Sequence, residues 1–156
     1  MTSKQDFTDE EWARIRRAPL VAGVAISLAD PGGPIELAKE TMATLRSATL
    51  PPSQEELLTS VALDVQAMTQ HKQNPLGDFK PRGGQQVLEE LKAVNELVTA
   101  KATPEEVEAF RRWLVAAAQA AADAAKEGGF MGFGAEQVSA GEQQMLDQLR
   151  AALAAA

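Results

Sequence analysis

Thr8 to Arg17 reads T-D-E-E-W-A-R-I-R-R, and Thr103 to Arg112 reads T-P-E-E-V-E-A-F-R-R. Five of the ten positions are identical at an offset of 95, and apolar residues coincide where Trp12 meets Val107 and Ile15 meets Phe110. Both stretches open with a threonine and carry a glutamate three positions on. That is the capping box, in which each side chain satisfies a backbone N–H that the first helical turn leaves without a partner. Each stretch then runs into a long Ala-rich apolar segment, a Gly-containing break, and a shorter segment ending L-R-S-A at Leu45–Ala48 or L-R-A-A at Leu149–Ala152. A helix start stated twice in this way reads as an all-α domain with an internal pseudo-twofold repeat over about 8–48 and 103–154.

Working outward, the same box pattern recurs at Ser53–Glu56 and Ser139–Glu142. Phe7 precedes the first box and can staple against Trp12, while Pro104 falls at a first helical position, where its missing N–H costs nothing. These starts, with breaks at Asp30–Pro34, Leu50–Pro52, 72–83 and Gly128–Gly134, predict six helices at about 8–29, 34–48, 53–71, 84–100, 103–126 and 139–154. Pro19 predicts a kink or a short break near Arg17. L-V-A-G-V-A-I-S-L-A after Pro19 and W-L-V-A-A-A-Q-A-A-A-D-A-A after Arg112 are apolar nearly all round, which predicts two long buried helices crossing at the centre, with Gly23 and the alanines allowing close approach. The connecting hairpin, about 53–100, carries one-sided stripes: Leu57, Leu58, Val61, Val65 and Met68, then Val87, Leu91, Val94, Leu97 and Val98.

Composition agrees. A chain of 156 residues that is 45% hydrophobic suits a single domain, 1–156, and the lack of tyrosine with only 4% aromatics argues against a sheet protein. Without cysteine there is no disulfide, thiolate metal site or cysteine nucleophile. A net charge of −7 argues against nucleic acid as a partner, because binding phosphates requires a basic face. The longest apolar run, Ala18–Ala29, is shorter than the ~20 residues that span a bilayer, so no transmembrane segment is expected. Met1–Glu11 is polar and acidic, unlike a secretory leader, and the expected location is cytoplasmic.

Two acidic turns follow the long helices. The first reads A-D-P-G-G-P-I-E-L-A-K-E (Ala29–Glu40), and the second reads A-D-A-A-K-E-G-G, continues through F-M-G-F-G-A-E-Q, and restarts at V-S-A-G-E, which ends at Glu142. A buried helix, an acidic Gly turn and a carboxylate opening the next helix, given twice, resembles the tellurite-resistance protein B (TerB-like) family. The resemblance covers the outer two-thirds of the chain and leaves Ser53–Lys101 outside it. It implies an all-helical module linked to stress, with carboxylates gathered around a divalent cation, calcium or magnesium. Carried over by position, the metal set is Asp30 with Glu36 or Glu40 from the first turn, and Asp123, Glu127 and Glu142 from the second. The residues also admit plainer roles: Asp30 capping its turn, Glu127 a solvated helix end, and Glu142 a capping-box member.

Three other places could carry chemistry. Phe79–Gln86 (F-K-P-R-G-G-Q-Q) sets Lys80 and Arg82 before a helix start that could face an anion. Gly128–Gly134 (G-G-F-M-G-F-G) could fold Phe130 and Phe133 onto the bundle, close over a ligand, or dock a partner. His71, the single histidine, ends the third helix, where the helix dipole suits it. With no G-x-S-x-G and no H-E-x-x-H, no catalytic residue is assigned. The expected function is a non-enzymatic binding module with a protein partner or a second copy of itself. The alternatives are a small-molecule carrier or enzyme with a pocket under Gly128–Gly134, and a purely structural dimerising module.

Overall fold

The computed structural model describes residues 2–29, 34–126 and 140–154; the side chains of Pro34, Glu36, Ala125 and Lys126 lie outside that description. Among the described residues there are six α-helices and no strand: α1 Asp9–Ala29, α2 Pro34–Thr49, α3 Glu56–Gln70, α4 Gly84–Lys101, α5 Pro104–Lys126 and α6 Ala140–Ala154. They form a single helical bundle. α1 and α5 lie against each other, α2 packs mainly on α5 and α1, α4 packs on α1, and α6 packs on α4, α1 and α5. No described helix is long and apolar enough to cross a membrane.

Both repeated starts fold as their pattern requires. At α1, Thr8 N–H donates to Glu11 Oε1 (2.9 Å) and Glu11 N–H to Thr8 Oγ1 (3.1 Å). At α5, Thr103 N–H donates to Glu106 Oε1 (3.1 Å) and Glu106 N–H to Thr103 Oγ1 (3.2 Å). Phe7 and Trp12 make the staple, their ring centroids 6.1 Å apart. The two boxes then diverge. Glu11 stays near the surface beside Lys101 (3.5 Å), whereas Glu106 is 4% exposed and also receives Thr2 N–H (3.1 Å), Thr2 Oγ1 (2.6 Å) and Leu57 N–H (3.4 Å). Burial pushes the Glu106 carboxyl up, but the hydrogen bonds from Thr2, Thr103 and Leu57 together outweigh it and hold the group below its ordinary value.

That contact also corrects one expectation. The Ser53–Glu56 box does not form: α3 begins at Glu56 behind Glu55, the Glu55 side chain does not cap it, and Ser53 Oγ is buried without a partner. The acceptor at this helix start comes from Glu106, 49 positions away in the chain, which takes the Leu57 N–H. The Ser139–Glu142 box lies partly outside the described residues; Glu142 itself is buried in the first turn of α6.

The central helices also differ from expectation. α1 runs through Pro19 without a break, and Ala18 to Gly23 are all buried. α5 is not buried on every face: Phe110, Trp113, Leu114, Ala117, Ala118, Ala121 and Ala122 face inward, while Glu108, Arg112, Ala116 and Asp123 are exposed. Alanine explains the difference, because its small side chain neither demands nor resists burial, so an Ala-rich helix looks apolar all round while presenting only one packed stripe.

Polar ties hold the layers in register. Trp12 Nε1 donates to Asp64 Oδ2 (2.8 Å) on α3, and Trp113 Nε1 donates to the Ser47 carbonyl (2.7 Å) on α2. Glu90 on α4 accepts from Arg14 (2.8 Å) and sits 3.6 Å from Arg17; its hydrogen bond raises the Arg14 guanidinium above its ordinary value. Fully buried Asn95 donates to the Leu153 carbonyl (3.1 Å) and accepts from Arg111 Nε (3.1 Å), joining α4, α6 and α5.

Candidate functional site

α2 departs from the usual pattern of a core-facing helix. Its described buried residues are Glu40, Thr44 and Ala48, one per turn along a single line, while Ile35 and Met42 are 73% and 62% exposed and Leu37, at 52%, borders a cleft. Polar residues facing in and large apolar ones facing out break the consistency by which a sequence specifies its fold, and such breaks concentrate at functional sites.

The inward line of α2 meets a matching line of small residues on α1. Gly23 sits opposite Thr44, and Ser27 sits opposite Glu40, as two antiparallel helices require. A Cβ at Gly23 would stand 2.8 Å from Thr44 Cβ and closer still to Oγ1 and Cγ2, so the absence of a side chain is what permits this crossing. Ser27 Oγ donates to Glu40 Oε2 and Thr44 Oγ1 to the Glu40 carbonyl (2.7 Å), so Glu40, at 3% exposure, is held from both helices.

Beside this crossing lies a cavity of about 470 Å³. Leu20, Gly23, Val24, Ser27 and Leu28 of α1 line one wall, and Leu37, Glu40, Thr41, Thr44 and Leu45 of α2 the other. Asn74, Pro75, Leu76 and Pro81 of the α3–α4 loop complete its described lining. The Arg17 guanidinium lies 5.1 Å from the centre of the Phe79 ring, which ties that loop to α1 one turn before Leu20. The described lining is mostly aliphatic; Ser27, Glu40 and Thr44 meet at the crossing, and Thr41 and Asn74 are its other polar residues.

The candidates named from sequence are distributed as follows. Glu40 belongs to this cavity. Asp123 is exposed on α5 and accepts from Gln119 (3.0 Å), and Glu142 is buried at the start of α6. Asp30, Glu127 and the side chain of Glu36 lie outside the described residues, as does the Gly128–Gly134 segment. Among the described residues no group of three or more His, Asp or Glu side chains is placed to hold a metal ion. His71 is exposed at the end of α3. Lys80 and Arg82 are exposed, and Arg82 N–H, just before the start of α4, donates to Gln86 Oε1 (2.5 Å).

Ser27 and Thr44 carry no catalytic or metal-binding pattern, and sequence reasoning passed over them; Gly23 was expected to let the two long helices approach closely, and the close approach seen at it is to Thr44 of α2. The signal for Ser27 and Thr44 is the four-residue spacing of small or polar residues, Gly23–Ser27 and Glu40–Thr44–Ala48, which sets each series on one face of its helix. Comparison with family models, with curated proteins and with solved structures gave no match. The resemblance to the tellurite-resistance protein B family therefore rests on the acidic-turn motifs alone.

Proposed function

We propose that this protein is a non-catalytic helical binding module whose site is the α1–α2 cleft, and that its ligand is a small, largely apolar molecule. The cavity carries this reading. Its volume of about 470 Å³ falls in the range that holds small organic ligands, and its composition, aliphatic walls with a few convergent polar groups, is the one such pockets use for affinity and orientation. The inverted pattern of α2 supports it, since a polar line buried between two helices does little for packing and is explained by what it presents to the cleft.

The test is saturable binding of the uncharged, environment-sensitive dye Nile red, followed by fluorescence, beside a Thr41→Trp variant. Thr41 lines the cleft yet is exposed, so the indole fills the space without entering the core. Stoichiometric binding to the wild type, lost in a variant that keeps its helicity and melting temperature, supports the assignment. Absence of saturable binding, or equal binding by Thr41→Trp, overturns it.

A further inference from the structure

A second cavity, of about 570 Å³, lies between α5 and α6, within the size range of small-ligand sites. Its described lining shares no residue with that of the α1–α2 cleft. One face of α5, from Glu108 to Gln119, forms one wall, and Arg150, Leu153 and Ala154 of α6 form the other. Fully buried Asn95 fixes the two walls from the core side, accepting from Arg111 Nε (3.1 Å) and donating to the Leu153 carbonyl (3.1 Å).

Charge sets this cavity apart. In a chain of net charge −7, its described lining carries Arg111, Arg112 and Arg150 against the single acid Glu108. Arginine keeps its proton throughout the pH range of folded proteins, so these charges do not depend on titration. Arg111 is committed to Asn95, and the other two carry the site. Arg112 is exposed and has no hydrogen bond or ion pair among the described residues, even with Glu108 one turn earlier. Arg150 meets Asp147 of its own helix at 3.5 Å, with side chains 48% and 65% exposed, a pairing worth little. Val115, Ala116, Leu153 and Ala154 add an apolar surface to the same cavity. We infer that this cavity binds a small organic oxyanion, with a carboxylate or phosphate head at Arg112 and Arg150 and a short apolar body on Val115, Ala116 and Leu153. The planar guanidinium fork matches both kinds of head. Because the arginines are exposed, each contributes about threefold to fivefold in affinity, and the two together about tenfold or more.

The experiment is calorimetric titration, at neutral pH and low salt, of phenylacetate, phenyl phosphate and the neutral 2-phenylethanol into the wild-type protein, Arg112→Gln, Arg150→Gln and Lys39→Gln. At least one anion is expected to bind the wild type saturably and about tenfold or more tighter than phenylethanol, and the tighter of the two identifies the head. Arg112→Gln and Arg150→Gln should each weaken that anion by about threefold or more. Lys39→Gln removes an exposed charge outside both described linings and should weaken it by less than about twofold. The inference is overturned if neither anion binds saturably, if phenylethanol binds as tightly as both, if the arginine variants keep wild-type affinity, or if Lys39→Gln loses as much as they do. Both arginines are exposed, so their variants should retain wild-type helicity, and the ranking on the wild type is decisive without them.

Discussion

Replacing Glu106 by alanine should destabilise the fold far more than replacing its sequence counterpart Glu11. The Glu106 carboxylate accepts four hydrogen bonds, from Thr2 N–H, Thr2 Oγ1, Thr103 N–H and Leu57 N–H. Loss of a capping interaction costs about 1 kcal/mol. A buried donor left unmade costs about 1–3 kcal/mol, and the Leu57 N–H, at 3.4 Å, belongs at the low end. The total is about 3 kcal/mol, or roughly 6–12 °C in melting temperature for a domain of this size.

The same carboxylate predicts a pH dependence. Its folded pKa is depressed from the ordinary 4.5, so the unfolded chain takes up its proton first as pH falls. The stabilisation is therefore fully present above about 4.5 and is lost as pH drops through the folded value. Glu106→Gln has no proton to bind, so its stability deficit relative to wild type should be largest at pH 7 and shrink progressively below pH ~4.5. Urea denaturation of wild type, Glu106→Ala, Glu106→Gln and Glu11→Ala across this range measures both effects. Equal loss in Glu106→Ala and Glu11→Ala, or a Glu106→Gln deficit that does not change with pH, would refute the reasoning.

Gly23→Ala sets two effects against each other: a gain of about 1 kcal/mol in helix propensity and a loss of about 1–3 kcal/mol from forcing a Cβ onto Thr44. Because the nearest atoms are side-chain atoms of a residue on the facing helix, the clash should win by about 1 kcal/mol. Adding Thr44→Ala should then recover part of the loss in a double-mutant cycle, and strictly additive effects would show that the crossing is not where the strain falls. Asn95→Leu should cost about 2 kcal/mol and speed amide exchange in the last turn of α6, since it removes the bond to the Leu153 carbonyl and the acceptor for Arg111. Unchanged exchange in α6 would show that Asn95 does not anchor that helix.

Much of the fold was legible because helix starts are written locally. A hydroxyl and a glutamate three residues apart have few ways to satisfy each other except by opening a helix, and at Thr8–Glu11 and Thr103–Glu106 they do so. The stripe on α3 was correct from Leu57 to Val65, and the one on α4 from Val87 to Val98, because a one-sided helix must turn that side inward. Ser53 failed for an equally physical reason: a carboxylate from a distant part of the chain reached the same helix start. The Ala-rich stretch of α5 misled because alanine reports helix and says little about burial.

The sequence by itself determined the helices, their order and their repeated starts, since these depend on contacts within three or four residues. Tertiary structure decided which of two like glutamates became buried, which face of α2 turned inward, and that Ser27, Glu40 and Thr44 stand together beside a cavity. The first depends on Thr2 and Leu57 reaching Glu106 from distant parts of the chain, and the other two on how closely α1 and α2 cross at Gly23, a distance between segments about twenty residues apart that no local pattern specifies.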